Sequence, residues 1–238
     1  MCFYDLDAKF IKFEHIPDKY TDFIFINKEI FAASAKLSFN LKNDRIKFYD
    51  TNGIVVDSIN HYKEFSENNS WGDGLDGIFY RYNDSIYYKE KHNDTIFQIS
   101  QDLKLIPEYA INAGKYSTNL EEQLSGNKEL LIKRKTPVVL FENNRFIISF
   151  VRGIGFAYCL IDKKSDIVKI GFFRYNKEMQ SRFEDYPEII DKTLRKKVPP
   201  FFRIGGNSSD GKKLLGFEYL KEKQFDNPVV VIVELKEQ

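Results

Sequence analysis

Apolar and aromatic runs alternate along this chain with short polar segments that are rich in Asn, Asp, Gly and Lys. The runs are dominated by Phe, Tyr, Ile and Val, which favour the half-buried surface of a β-strand. Because polar breaks separate these runs at short intervals, the pattern predicts a series of β-hairpins and therefore an all-β protein.

Two kinds of predicted hairpin follow each other along the chain. The first kind has a polar turn that contains Asp, and its strongest example includes Asn52-Gly53, a pair that predicts a type I′ turn. The second kind turns at a polar pair centred on Asn, such as Asn143-Asn144. Hairpins of the first kind span 2–11, 47–55, 96–105 and 158–167, and those of the second kind span 23–31, 78–88 and 138–148.

One hairpin of each kind makes a four-stranded unit of roughly 45–60 residues, a period typical of propeller blades. A single four-stranded sheet has two apolar faces, and stacking against neighbouring sheets covers both of them. A β-sandwich is the alternative, although it does not predict hairpin types that alternate at this spacing. We therefore expect residues 1–238 to form one β-propeller domain with four-stranded antiparallel blades.

Three segments resemble the six-bladed β-propeller proteins of Bacteroides-type bacteria. They are the strand Asn93-Asp94-Thr95-Ile96-Phe97-Gln98-Ile99, the following segment 107–116, and the C-terminal segment 227–236. The resemblance covers most of the chain and implies a cell-envelope location for full-length relatives, which are longer and commonly begin with a lipoprotein-type signal.

The number of hairpins departs from that family, because the chain begins in mid-blade and supplies about four to four and a half blades. We therefore expect an N-terminally incomplete propeller that corresponds to the C-terminal part of a six-bladed one. Open blade edges would expose backbone groups and favour self-association.

Charge and hydropathy exclude several classes of protein. The chain has 36 Lys and Arg against 35 Asp and Glu, and this balance argues against a nucleic-acid binder. It has no run of 18 apolar residues, so we expect no transmembrane segment. Its N-terminus lacks the basic start and apolar stretch of a signal peptide, which leaves its localisation open.

The motifs that could carry chemistry each have a simpler structural explanation. Residues 206–212 fit G-x-x-x-x-G-K, but a predicted strand follows where a phosphate-binding loop needs a helix. The three histidines share no metal-ligand spacing, and the carboxylates of 72–77 do not match an EF-hand. Cys159 lies in an apolar strand and is expected to be an inert buried thiol. We therefore predict no catalytic residue, no metal and no cofactor.

Trp71, Arg81 and Tyr82 are the candidate binding residues, because aromatic and Arg side chains are favoured anchors at interfaces. The leading hypothesis is a non-enzymatic binding or scaffold module for a protein, peptide or glycan ligand. The alternative is a carbohydrate-active hydrolase or lyase with acidic residues at the propeller channel. Charged and acidic channel side chains would favour the enzyme, and apolar or small ones the binding module.

Overall fold

A computed structural model of the chain describes residues 2–4, 7, 9–13, 20–35, 44–60, 77–90, 93–111, 117, 122, 136–152, 157–172, 203–207, 213–218 and 229–234. These residues form seventeen strands. In chain order the strands are β1 (Cys2–Tyr4), β2 (Phe10–Phe13), β3 (Tyr20–Phe25), β4 (Ile30–Ala35), β5 (Asp44–Asp50), β6 (Val55–Asn60), β7 (Gly77–Tyr82), β8 (Ser85–Glu90), β9 (Thr95–Ile99), β10 (Leu105–Ala110), β11 (Thr136–Glu142), β12 (Phe146–Arg152), β13 (Ala157–Asp162), β14 (Val168–Phe172), β15 (Arg203–Asn207), β16 (Lys213–Glu218) and β17 (Val229–Glu234).

The strands pair with their sequence neighbours into antiparallel meanders. Three sheets have four strands in the orders β3-β4-β5-β6, β7-β8-β9-β10 and β11-β12-β13-β14, which we call blades I, II and III. Strands β1 and β2 form a two-stranded sheet, and β15-β16-β17 form a three-stranded one. The expected alternation of hairpins and the four-stranded units are therefore confirmed.

The sheets stack as propeller blades do, through their first strands. Strand β7 lies against β3 on one side and against β11 on the other, and β15 lies beside β11. Within the residues described, the sheets do not close into a ring. The fold is thus an all-β, incomplete propeller-like array of four-stranded antiparallel blades, as predicted, whereas the number six remains a prediction.

Asparagine side chains close the hairpin between the first two strands of blades I and III. The Oδ1 atom of Asn27 accepts the backbone amides two and three residues further on at 2.8 and 2.9 Å. The same atom of Asn143 accepts the equivalent amides at 2.9 and 2.6 Å. Such side-chain acceptors satisfy amides that a turn would otherwise leave unpaired. The two asparagines therefore mark equivalent positions in the repeat.

The type I′ turn lies at a different pair from the one that we expected. Asn83 and Asp84 have φ of 46° and 57°, as both central residues of a type I′ turn require. At Asn52-Gly53, in contrast, Gly53 alone has a positive φ, of 77°. The expectation for Asn52-Gly53 was wrong because the Asp50 side chain accepts the amides of residues 52 and 54 and stabilises a wider turn.

Apolar side chains fill the space between consecutive blades. Ile46 and Phe48 of blade I have 0% exposure, and burying such side chains contributes about 1.5–3 kcal/mol each. The cluster between blades I and II contains Ala32, Ile46, Phe48, Phe79, Ile86, Tyr88 and Ile99. The cluster between blades II and III contains Tyr80, Tyr82, Tyr87, Ile96 and Ile147.

The two ends of the array differ in the length of their connections. Arg81 near the end of β7 donates to the Phe25 carbonyl near the end of β3, so these two strands run in the same direction. Equivalent connections of the two blades therefore lie at the same end of the array. At the end that we call the turn end, two to five residues join the strands of each hairpin. At the opposite end, the connection end, 16 and 25 residues separate blades I, II and III, and 30 residues separate blade III from the sheet β15-β16-β17.

Candidate functional site

A buried carboxylate joins blades II and III at the turn end. Glu142 ends β11, and its side chain has 0% exposure. The Tyr80 hydroxyl donates to Oε2 at 2.7 Å, and the Tyr109 hydroxyl donates to Oε1 at 3.0 Å. Lys163 of blade III donates its Nζ to Oε1 at 2.9 Å. Glu142 therefore accepts three strong hydrogen bonds, two of them from the neighbouring blade.

Burial and the Glu142 charge keep the surrounding phenols protonated. Burial raises the pKa of Tyr80 and Tyr109 far above the ordinary value of a tyrosine, and the nearby Glu142 raises both further. The same two causes raise the pKa of Tyr87 to about 12. Phenols with such pKa values donate hydrogen bonds but do not serve as bases at neutral pH. The cluster is therefore suited to holding blades together.

The predicted binding residues Arg81 and Tyr82 both lie at contacts between blades. Arg81 donates to the Phe25 carbonyl of blade I at 2.6 Å. Tyr82 is 7% exposed, donates to Asn144 of blade III at 2.7 Å, and has the Lys163 ammonium 4.5 Å from its ring centre. The two side chains thus point to opposite neighbours.

Trp71, the third predicted binding residue, lies outside the described residues. It belongs to the 16-residue connection between β6 and β7, which leaves from the connection end. Arg81 and Tyr82 are the last residues of β7 and lie at the turn end. The part of the chain that the structure describes therefore does not bring the three predicted residues together, and their role in binding stays a prediction.

A second buried ion pair joins blades I and II near the connection end. Arg45 at the start of β5 binds Glu90 at the end of β8 through two contacts of 2.6 Å each, Nε to Oε1 and Nη2 to Oε2. Arg45 is 9% exposed and Glu90 is 1% exposed. The guanidinium also lies 4.8 Å from the ring centre of Phe97 and 5.5 Å from that of Tyr88. This paired arrangement neutralises two charges that would be costly to bury alone.

Two further buried reactive groups are poorly placed for chemistry. Burial lowers the pKa of Lys89 to about 8, but this residue is 1% exposed and its ammonium donates to the carbonyls of residues 90 and 93. Burial raises the pKa of the Cys159 thiol to about 12, and this cysteine is free and buried. A nucleophilic cysteine needs a lowered pKa. The expected burial of Cys159 is confirmed, and its inertness stays a prediction.

Acids on the innermost strands are the residues that a glycoside hydrolase of this shape would use. Asp22 of β3 accepts the Phe79 amide of β7 at 2.7 Å, and burial raises its pKa. The Asp22 carboxylate is thus held against blade II by a backbone amide, while Glu142 is held by two tyrosines and Lys163.

No metal-binding group of three or more His, Cys, Asp or Glu side chains occurs among the described residues. In the same residues, no helical segment has the length and apolar character needed to cross a bilayer.

The sequence reasoning missed the two buried carboxylates, Glu90 and Glu142, and their partners Arg45 and Lys163. One signal was available for Glu142. When the turn asparagines Asn27 and Asn143 are aligned, Glu142 takes the place of an isoleucine in blade I. A carboxylate at an apolar position of a repeat indicates a specific partner in the neighbouring blade.

Comparison with known proteins supports the fold. No protein-family model matches the chain, and no curated protein matches it. The structure is similar to that of a putative exported protein of Bacteroides fragilis, with a TM-score of 0.67 and 14% identity over 99% of this chain and 71% of that one. It also matches a putative 6-phosphogluconolactonase of Bacteroides uniformis, with a TM-score of 0.39 and 10% identity over 98% of this chain and 65% of that one. The first likeness shows a shared fold, in a protein from the genus that the sequence resemblance indicated.

Proposed function

We propose that this chain is a non-enzymatic binding or scaffold propeller, built on the six-bladed plan, that takes a protein, peptide or glycan ligand at its connection end. The observation that carries the proposal is the difference between the two ends. Hairpins at the turn end need two to five residues, whereas connections of 16, 25 and 30 residues between successive sheets leave from the other end.

Long segments on a rigid scaffold are where binding residues concentrate, because the scaffold fixes their ends while their sequence is free to vary. Here the scaffold is a stack of meanders whose turns are closed by their own side chains, as at Asn27 and Asp50. Such turns leave little chain at the turn end for recognising a ligand.

The buried charged groups described above support a scaffold rather than a catalyst. Tyr80 and Tyr109 of blade II donate to Glu142, and Arg45 of blade I donates to both oxygens of Glu90, so these contacts fix one blade against the next. A catalytic carboxylate must instead reach the substrate with a free oxygen. In this proposal Trp71 contacts the ligand, while Arg81 and Tyr82 hold the blades that carry it.

Binding of the full chain to immobilised glycans and peptides tests this proposal. Fluorescently labelled protein is applied to a glycan array and a peptide array, and the selected ligands are titrated against two variants. We expect Trp71→Ala to weaken binding about thirtyfold or more, because aromatic anchors at interfaces are worth about 2 kcal/mol or more. The control Ile167→Ser alters a residue at the turn end that is 51% exposed, and it should leave binding unchanged.

Two results would contradict the proposal. Loss of binding in Ile167→Ser together with full binding in Trp71→Ala would place the ligand at the turn end instead of the connection end. Release of new reducing ends from a panel of polysaccharides, by the purified protein and in proportion to its concentration, would make the chain an enzyme.

A further inference from the structure

The turn between β5 and β6 contains an asparagine that is followed directly by a glycine, Asn52-Gly53. Asn52 is exposed, and Gly53 has a φ of 77°. The backbone nitrogen of the next residue can attack the side-chain carbonyl carbon of an asparagine, and a glycine, which has no Cβ, lets that nitrogen approach most closely. The Asn52-Gly53 peptide is therefore a chemically reactive point on the surface of blade I.

The reaction at such a peptide needs water but no cofactor. The Gly53 nitrogen forms a bond to Cγ of Asn52, the Cγ–Nδ2 bond breaks, and the amide proton of Gly53 leaves with the side-chain nitrogen as ammonia. Water then opens the resulting imide at either of its two carbonyls, which leaves an aspartate or an isoaspartate at position 52. Both products carry a negative charge that Asn52 lacks, and isoaspartate also lengthens the main chain.

Hydrogen bonds in the folded turn fix both reacting groups. The Gly53 amide donates to the Asp50 carbonyl at 3.0 Å. Lys12 donates to Oδ1 of Asn52 at 3.4 Å, and Nδ2 of Asn52 donates to the Asp50 carboxylate at 3.4 Å. The same carboxylate accepts the backbone amides of residues 52 and 54 at 2.9 and 2.8 Å. Attack requires the nitrogen and Cγ to be aligned at close range, so these hydrogen bonds must open before the reaction starts.

We propose that Asn52-Gly53 is a latent self-modification site, which the folded turn keeps closed and which reacts when this turn of blade I opens. The reaction rate is then that of an unfolded peptide multiplied by the fraction of time that the turn is open. The product also hinders closure, because the Nδ2 donor to Asp50 is lost and isoaspartate lengthens the main chain inside the turn. Each reaction therefore leaves a permanent negative charge and a weakened turn.

Mass spectrometry of the full chain, after incubation at mildly alkaline pH, tests the proposal. Deamidation raises the mass by about one dalton. Fragmentation of the tryptic peptide 48–63 assigns the change to Asn52. A synthetic peptide of residues 48–57 gives the rate for the same sequence without the fold. We expect the native chain to deamidate at least about tenfold more slowly than this peptide, a factor that corresponds to about 1.4 kcal/mol.

Two variants identify the group that keeps the site closed. Asp50→Ala removes the carboxylate that accepts three hydrogen bonds in the turn, and it should raise the rate of the full chain towards that of the peptide. The control Asp57→Ala alters an exposed carboxylate of β6 that accepts the amide of residue 58 at 2.7 Å, and it should leave the rate unchanged. Circular dichroism confirms that both variants are folded.

The comparison between the wild-type chain and the peptide uses no substitution, so it tests the proposal even if Asp50→Ala unfolds. Three results would overturn the proposal. They are a native chain that deamidates at Asn52 as fast as the peptide, a folded Asp50→Ala variant that reacts no faster than the wild type, and an equal acceleration in Asp57→Ala.

Discussion

Replacing Arg45 with methionine should lower the free energy of unfolding far more than is usual for a residue at the start of a strand. The substitution Arg45→Met keeps an unbranched side chain of similar volume but removes the guanidinium, which lies over the rings of Tyr88 and Phe97. It removes both donors from Glu90, whose carboxylate then remains 1% exposed with its ion pair lost.

The magnitude follows from the two contacts that are lost. Each hydrogen bond to a charged group contributes about 1.5–3 kcal/mol, and leaving one member of a buried ion pair alone costs about 3–5 kcal/mol. We therefore expect Arg45→Met to lower the free energy of unfolding by about 3–5 kcal/mol. The double variant Arg45→Met/Glu90→Met removes both charges and should lie within about 2 kcal/mol of the wild type, because apolar replacements of buried pairs are often neutral.

Urea unfolding followed by tryptophan and tyrosine fluorescence measures these free energies, and the two single variants with the double variant form a thermodynamic cycle. The matched control is Arg145→Met. Arg145 pairs with Asp162 at 3.0 Å and lies 4.9 Å from the Phe146 ring centre, but its side chain is 36% exposed. An exposed pair contributes about 0–1 kcal/mol, so the control should change stability by no more than that.

The reasoning fails if Arg45→Met costs less than about 1 kcal/mol, the value of an exposed pair. It also fails if the double variant loses the sum of the two single losses, since the side chains would then not interact. Either result would mean that blades I and II do not bury Arg45 against Glu90.

Three further predictions concern single residues. Gly53→Ala should lower the free energy of unfolding by about 1–2 kcal/mol, because φ of 77° is unfavourable for a residue with a Cβ, and Gly53→Asn should cost less in the same urea assay. The pKa of Tyr87 is raised to about 12 from 10.0, so its contribution to stability is present below pH 10 and lost as the pH rises through 12. In an ultraviolet titration Tyr87→Phe should remove an ionisation near pH 12, and an unchanged curve would contradict the burial of this phenol. In a Cys2→Ser background, Cys159 should react with a disulfide reagent only after unfolding, and rapid reaction of the native protein would show an accessible thiol.

The hairpins could be predicted from the sequence because each one is specified locally. The polar residues 27–29 separate β3 from β4 in blade I, and the turn residue Asn27 itself supplies the acceptor. Asn83 could be placed in a turn because asparagine tolerates the positive φ that a type I′ turn requires. The exact turn geometry at Gly53 could not, since it depends on whether the Asp50 side chain folds back onto its own backbone.

The contacts between blades could not be predicted from the sequence. Arg45 and Glu90 are 45 residues apart, and their pairing depends on how two sheets are rotated against each other. The same applies to Glu142 and Tyr80, which lie 62 residues apart. The sequence around each of these carboxylates does not distinguish it from an exposed one. Only the alignment of the repeats indicates that Glu142 is buried, because it places Glu142 at an apolar position.

The meander order of the blades has a consequence for the integrity of the chain. Every described strand of blades I and II pairs with a neighbour inside its own blade, and residues 61–76 join the two blades along the chain. A protease that cuts there would sever the polypeptide without opening a sheet. The two fragments would stay joined by Arg45, Glu90 and the apolar cluster around Phe48, and would separate only when a denaturant breaks that junction.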